Sequence, residues 1–169
     1  MIIRLSEEKD TDSLLSIFDE ARKTIAALGI DQWQNGYPSC DIIENDIKDR
    51  ISYTVTSNGT PIATFVMLNS GEKTYDRIYG GKWLSGSSDS YIAIHRVAIL
   101  VSKRGTGISG EIIKHAESYA KALGRQSLRI DTHHGNLPMR KMLEKNGFSA
   151  CGTIYLENGE KRIAYEKLI

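Results

Sequence analysis

The stretch Tyr91-Ile92-Ala93-Ile94-His95-Arg96-Val97-Ala98-Ile99-Leu100-Val101-Ser102-Lys103-Arg104-Gly105-Thr106-Gly107-Ile108-Ser109 decides how the rest of the chain is read. Tyr91 to Val101 is the most apolar part of the sequence, which suits a central strand covered on both faces. After a glycine-rich turn, Ile108, Ile112, Ile113, Ala116, Tyr119, Ala120 and Leu123 mark one face of an amphipathic helix closed by Gly124. A turn between a buried strand and a helix start holds backbone N–H groups that lack intrahelical partners. They point outward with the positive end of the helix dipole. Such a turn can receive phosphate oxygens, and its small residues let a phosphate approach the main chain.

The elements on either side follow from periodicity and punctuation. Met1 to Leu5 reads as an edge strand. Asp10-Thr11 caps a helix on which Leu14, Leu15, Phe18, Ala21, Ile25 and Leu28 recur, ending at Gly29. Ile30 to Pro38 fits no template, yet carries Trp33 and Tyr37. A shorter helix is predicted from Asp41 to Arg50. Two strands, Ile51 to Ser57 and Pro61 to Leu68, are joined by the hairpin signal Asn58-Gly59. Ser70 to Ser90 is polar, with Tyr75, Tyr79 and Trp83 embedded, and a loop of that length is functional, mobile or misread. Downstream come a strand from Ser127 to Asp131, a helix begun at Pro138 and stopped at Gly147, and strands around 150–155 and 162–168. The expectation is one mixed α/β domain over residues 1–169.

Bulk properties narrow the function. A formal net charge of +1 gives no electrostatic reason to expect nucleic acid or an anionic membrane as partner. Cys40 and Cys151 lie outside any metal-ligand spacing, so neither a disulfide framework nor a zinc site is expected. The N-terminus turns polar at once, unlike a signal peptide, and no apolar run approaches bilayer-spanning length. A cytoplasmic location is the expectation.

The turn itself admits three readings. A P-loop would need a Gly-Lys-[Ser/Thr] ending, which is missing. Gly105, Gly107 and Gly110 meet the Gly-x-Gly-x-x-Gly spacing of a dinucleotide site, but no second Rossmann half follows. A turn that merely closes a strand-to-helix connection is the third.

Arg104-Gly105-Thr106-Gly107-Ile108-Ser109 resembles the acetyl-CoA-binding motif of the GNAT N-acetyltransferases, [Arg/Gln]-x-x-Gly-x-[Gly/Ala], with Ser109 in place of the last small residue. The resemblance extends to the apolar Ile99 five positions before the arginine, to Asn136, to the helix ending in Gly147-Phe148, and to the element order along almost the whole chain. It implies a mostly antiparallel twisted sheet with a splayed parallel pair, 91–101 and 127–131, flanked by about four helices. It also implies acetyl-CoA as donor and no metal. Amides of Gly105, Thr106, Gly107, Ile108 and Ser109, beside Arg104, would hold the pyrophosphate. Main-chain groups of Ile99 and Val101 would pair with the pantetheine arm, and Asn136 would bond near its end. Family members commonly form homodimers, and the resemblance extends that expectation here.

Acetyl transfer to an amine requires a group that removes the ammonium proton. His95 interrupts the apolar strand four residues before Ile99, so alternation puts both on one face unless a bulge intervenes. The arylalkylamine branch of the family carries a histidine at this phase. The alternative is a core histidine satisfied by a backbone partner. His133, at the end of the next strand, is the second candidate base, or a turn residue that orients Asn136. Asp131 could orient either histidine or cap the turn. The phenol that many family members use to protonate the thiolate is missing, because Leu143 stands at that position. Trp33, Tyr37 and Trp83, with Tyr75 and Tyr79 from the same long loop as Trp83, are candidates for binding a small-molecule or peptide amine, or else they cover the sheet. Two other classes remain open: an acyl-CoA sensor without turnover, and a protein that uses the turn for another nucleotide.

Overall fold

Apolar runs punctuated by glycine become seven strands and four α-helices in the computed structural model, which describes residues 1–69, 71–86 and 90–169. The strand order is β1-β2-β3-β4-β5-β7-β6, antiparallel throughout its assigned ladders except for one parallel pair. This is the mixed α/β architecture that the sequence implied. Two compact units are distinguished: Met1–Met67 with Arg96–Ile112, and Leu68–His95 with Ile113–Ile169. Strand β4 (Tyr91–Ile99) and helix α3 (Ile108–Ala122) give residues to both. None of the helices among the described residues is long and apolar enough to cross a membrane.

In the first unit, β1 (Ile2–Leu5), β2 (Ser52–Ser57) and β3 (Thr60–Leu68) form an antiparallel ladder. Asn58 and Gly59 both take left-handed φ, 49° and 80°, as the tight hairpin requires. Helix α1 (Thr11–Ala27) buries Leu14, Ile17, Phe18 and Ala21 against Ile43 and Ile47 of α2 (Cys40–Lys48) and Ala98 of β4. Ser39 caps α2 by accepting from the Ile42 N–H, so this helix starts one residue earlier than expected. It ends by Lys48 because Arg50 has left-handed φ. Asp10, buried at the start of α1, accepts two hydrogen bonds from Arg4, at 2.6 and 2.9 Å. The Arg4 guanidinium holds the Asp10 carboxyl below its ordinary value.

In the second unit, β5 (Ser127–Thr132), β6 (Ser149–Tyr155) and β7 (Lys161–Leu168) pair antiparallel, with α4 over Leu137–Lys145. Tyr91, Ile92 and Ala93 pair in parallel with Ser127, Leu128 and Arg129. The assigned ladder stops there, although both strands run on to Ile99 and Thr132. The strand itself is shorter than the apolar run. It ends at Ile99, and Val101 opens a 3-10 turn, Val101–Lys103.

The polar segment expected as a loop is folded into this core where it is described; Ser70 and residues 87–89 lie outside the described residues. Tyr75 and Trp83 are buried with Tyr91, Ala93, Cys151, Ile154 and Ala164. Tyr79 exchanges backbone hydrogen bonds of 2.8 Å with Thr153 of β6. A Cβ on Gly81 would sit 1.9 Å from the Cys151 carbonyl oxygen, so only glycine permits this approach. Beside it, Arg129 donates at 2.9 Å to the fully buried Glu166, with its guanidinium 4.2 and 4.0 Å from the ring centres of Trp83 and Tyr91. Glu166 also accepts from the hydroxyls of Ser85 and Ser127, both at 2.6 Å, and from the Leu84 and Ser85 amides. Such saturation is what makes a buried ion pair tolerable.

Candidate functional site

The glycine turn belongs to the first unit. Gly105 and Gly107 have left-handed φ of 75° and 89°, with nothing within 4 Å of where a Cβ would stand. Glycine is thus required here by conformation, with no crowding involved. Thr106 Oγ1 donates to the Lys103 carbonyl at 2.7 Å, and Arg104 Nε to the Ile99 carbonyl at 3.3 Å, which ties the turn to the end of β4. Ile108 is buried and anchors the first turn of α3. The Glu111 N–H donates to Gly107, but among the described residues none accepts from the amides of Gly105, Thr106, Gly107, Ile108 or Ser109. Val101 differs. Its amide donates to the Glu20 carboxylate and its carbonyl accepts from Arg104, so the main-chain groups expected to meet a pantetheine arm are engaged within the protein.

The titratable cluster lies in the second unit. His95 Nε2 is 3.2 Å from Glu72 Oε2, and both side chains keep partial exposure, 17% and 21%. The His95 ring lies over Tyr75 at 5.9 Å and 28°. Tyr75 is buried and donates to Asp131 Oδ2 at 2.8 Å, while Arg162 Nε stands 4.0 Å from Asp131 Oδ1. Contact with His95 pushes the Glu72 carboxyl down to about 2. Burial pushes the Asp131 carboxyl up, and burial next to Asp131 and Glu72 raises the Tyr75 phenol well above its ordinary value. Asp131 therefore serves Tyr75 by direct hydrogen bond and His95 only through its field.

Arg96, the residue after His95, has a φ of 52° in mid-strand. That breaks the alternation, so the argument that puts His95 and Ile99 on one face does not carry across it. His133 is a turn organiser. Its Nδ1 accepts from the Gly135 N–H at 3.0 Å and its carbonyl from the Asn136 N–H at 2.9 Å. Asn136 caps α4, its Oδ1 accepting from the Met139 N–H at 3.2 Å. Leu143 is fully buried.

Of the aromatics, Trp33 and Tyr37 are half-buried neighbours in the first unit, with rings 6.4 Å apart. Trp33 has a left-handed φ of 66° and meets Phe18 edge-on. Tyr37 accepts from Arg96 Nη1, and Arg96 Nη2 bonds Asp46 at 2.8 Å. Trp83 is a core residue, 5% exposed, with its indole N–H bonded to the Tyr75 carbonyl. It takes the covering role and presents no face to an acceptor. Glu72 and Arg96 escaped the sequence reading as candidate site residues. Only Arg96 gave a signal, a second polar residue in an apolar strand. Among the described residues, no group of three or more His, Cys, Asp or Glu could hold a metal ion.

A family model described as the acetyltransferase (GNAT) family matches residues 17–148. Among solved structures, a GNAT-family acetyltransferase from Streptococcus agalactiae is similar at 32% identity and a TM-score of 0.84, over 99% of this chain and 95% of that one. A putative acetyltransferase from Staphylococcus aureus aligns at 23% identity and 0.73, over 99% of both chains. The PaiA N-acetyltransferase of Thermoplasma acidophilum, solved with coenzyme A, aligns at 16% and 0.74, over 99% and 98%, a likeness of fold alone. No curated protein matches.

Proposed function

The chain belongs to the GNAT acetyltransferase family, and on that premise we propose that it transfers the acetyl group of acetyl-CoA to a primary amine of a small molecule or peptide, by direct attack in a ternary complex. The observation that carries the reading is the row of uncommitted amides from Gly105 to Ser109, at and just before the start of α3. Amides in that setting bind a diphosphate through directed N–H bonds and the helix dipole. The Thermoplasma protein, crystallised with coenzyme A on the same fold, supports the assignment.

Acetyl-CoA supplies a thioester carbonyl that an uncharged amine can attack. Gly105, Thr106, Gly107, Ile108 and Ser109 hold its pyrophosphate, with Arg104 beside them; Ile99 and Asn136 bind along the arm. Val101 joins them once Glu20 releases its amide. His95 takes the proton of the acceptor ammonium. It is preferred to His133, whose Nδ1 is already occupied by Gly135. As the C–S bond breaks, the thiolate leaves without a phenol at position 143 and takes its proton from water. Trp33 and Tyr37 contact the acceptor. The donor is an intracellular metabolite, in keeping with a cytoplasmic location.

Calorimetry with CoA, ATP and NAD tests the cofactor site: CoA binds and the nucleotides do not. Thiol release from acetyl-CoA with a panel of spermidine, tyramine, free amino acids and an Ala-terminated peptide tests the reaction. CoA binding without turnover on any amine would make the protein a sensor. Failure to bind CoA would end the reading altogether.

A further inference from the structure

We propose that Glu72 is a positioning residue for His95: its carboxylate accepts the Nε2–H and fixes the ring tautomer that leaves Nδ1 to take the proton of the acceptor amine. The inference rests on His95 being the base. Glu72 is held at three points. Its N–H donates to the Tyr91 hydroxyl at 2.8 Å. Its Oε1 accepts from the Thr74 N–H at 3.2 Å and the Thr74 hydroxyl at 3.0 Å, capping the 3-10 turn Lys73–Tyr75. Oε2 is the oxygen that faces the imidazole. A carboxylate anchored this way presents one fixed acceptor and loses little freedom in doing so.

The imidazole side is equally constrained. Nε2 is buried without an aligned hydrogen bond, and Glu72 Oε2 at 3.2 Å is the acceptor that can satisfy it after a small rotation. Catalytic hydrogen bonds are commonly loose before substrate binds. The other neutral tautomer would set the Nε2 lone pair against a carboxylate, acceptor against acceptor. Of the remaining groups around the ring, Asp131 is taken by Tyr75 and lies near Arg162, while Tyr91 is taken by Glu72. Nε2 has no access to solvent, so a proton from substrate can reach this ring only through Nδ1, which makes no hydrogen bond among the described residues. Tyr75, lying over the ring, restrains its rotation.

The decisive measurement is 15N NMR of the ring nitrogens of His95, at a pH where the imidazole is neutral. The wild-type protein is expected in the Nε2–H form, and Glu72→Ala as a mixture of tautomers. Glu72→Gln keeps an acceptor oxygen and restores the wild-type form. With acetyl-CoA and the best amine of the panel, Glu72→Ala lowers kcat about tenfold with the KM for acetyl-CoA within about twofold, and Glu72→Gln recovers most of the loss. Adding Glu72→Ala to His95→Ala costs nothing further if Glu72 acts through the ring. Melting temperatures of all variants exclude a general loss of fold. An Nδ1–H wild-type tautomer, or additive losses in the double variant, overturns the proposal. If His95→Ala is slow and Glu72→Ala is not, only this inference falls. If His95→Ala runs at the wild-type rate, the base assignment falls and takes the inference with it.

Discussion

Replacing Gly107 by alanine separates two consequences of one strained residue. Its φ is 89°, and no atom lies within 4 Å of the added Cβ, so the penalty is one of backbone conformation. A left-handed conformation costs an L-residue about 1–2 kcal/mol. If the turn kept its shape, that cost would fall on stability and leave CoA affinity unchanged. The turn is exposed and held by two side-chain bonds, Thr106 to Lys103 and Arg104 to Ile99, so it relaxes and the amides lose their convergence. Binding must then restore the left-handed geometry, which at about 1–2 kcal/mol is a roughly 5–30-fold rise in the Kd for CoA. Calorimetry with CoA gives the Kd, and thermal melting gives the stability. The expected pair is a weakened Kd with a nearly unchanged Tm, and valine exaggerates both effects because a β-branched residue fits φ > 0 worse. Wild-type affinity in Gly107→Ala at an unchanged Tm would refute the idea that these amides grip the diphosphate, since a relaxed turn would then bind CoA as well as the left-handed one. Wild-type affinity with a lowered Tm would refute the relaxation instead.

Three further outcomes follow from particular contacts. Glu20→Ala frees the Val101 amide, and CoA affinity should rise about fivefold by calorimetry, the worth of roughly 1 kcal/mol in one hydrogen bond. Gly81→Ala drives a Cβ to 1.9 Å from the Cys151 carbonyl, a backbone atom that cannot swing away, and thermal melting should show the loss. Overpacking of that kind costs about 3 kcal/mol or more, or a Tm lower by roughly 6–12 °C in a chain of this size. Glu72 is held at about 2, below its unfolded value of 4.5, so its contribution to stability is complete above about pH 4.5 and lost as pH falls toward 2. Acid titration of unfolding should show a shallower loss in Glu72→Gln over that window. Asp131, pushed upward by burial and in small part by the Glu72 charge, acts in the opposite sense in both proteins, and losing the Glu72 charge eases it in the variant.

The fold was largely open to sequence reading because its signals are local. Asn58-Gly59, Pro138 and the glycines that end helices each act within a few residues. Asp10 starts α1 as expected, but its carboxylate bonds Arg4 and the Glu7 N–H, with no cap bond to the helix. The glycine turn before α3 was legible for the same reason, since two left-handed glycines before a helix leave a pattern in a single stretch. What escaped depends on distant partners. Glu72 sits in a polar segment with no periodicity, and only the tertiary fold brings it to His95. Val101 looked like strand because it is apolar, but its amide turns to Glu20, a partner in another helix. Tyr75 and Trp83 looked like loop residues because alternation fails in a segment that buries aromatics through a close glycine contact with β6. That Arg96 takes the left-handed φ could not be foreseen from its residue type, since arginine has no preference for a positive φ.

The union of Gly81 and Gly152 with the backbone of the opposing segment bears on how this protein could be re-engineered. Residues 71–86 invite grafting, since they are largely polar. Yet each glycine admits a stretch of foreign main chain that no side chain can replace. A transplanted segment would have to travel with its cognate stretch of β6, Cys151-Gly152-Thr153, as one cassette. Recombination that cuts between them would yield chains that misassemble before any new specificity could be scored.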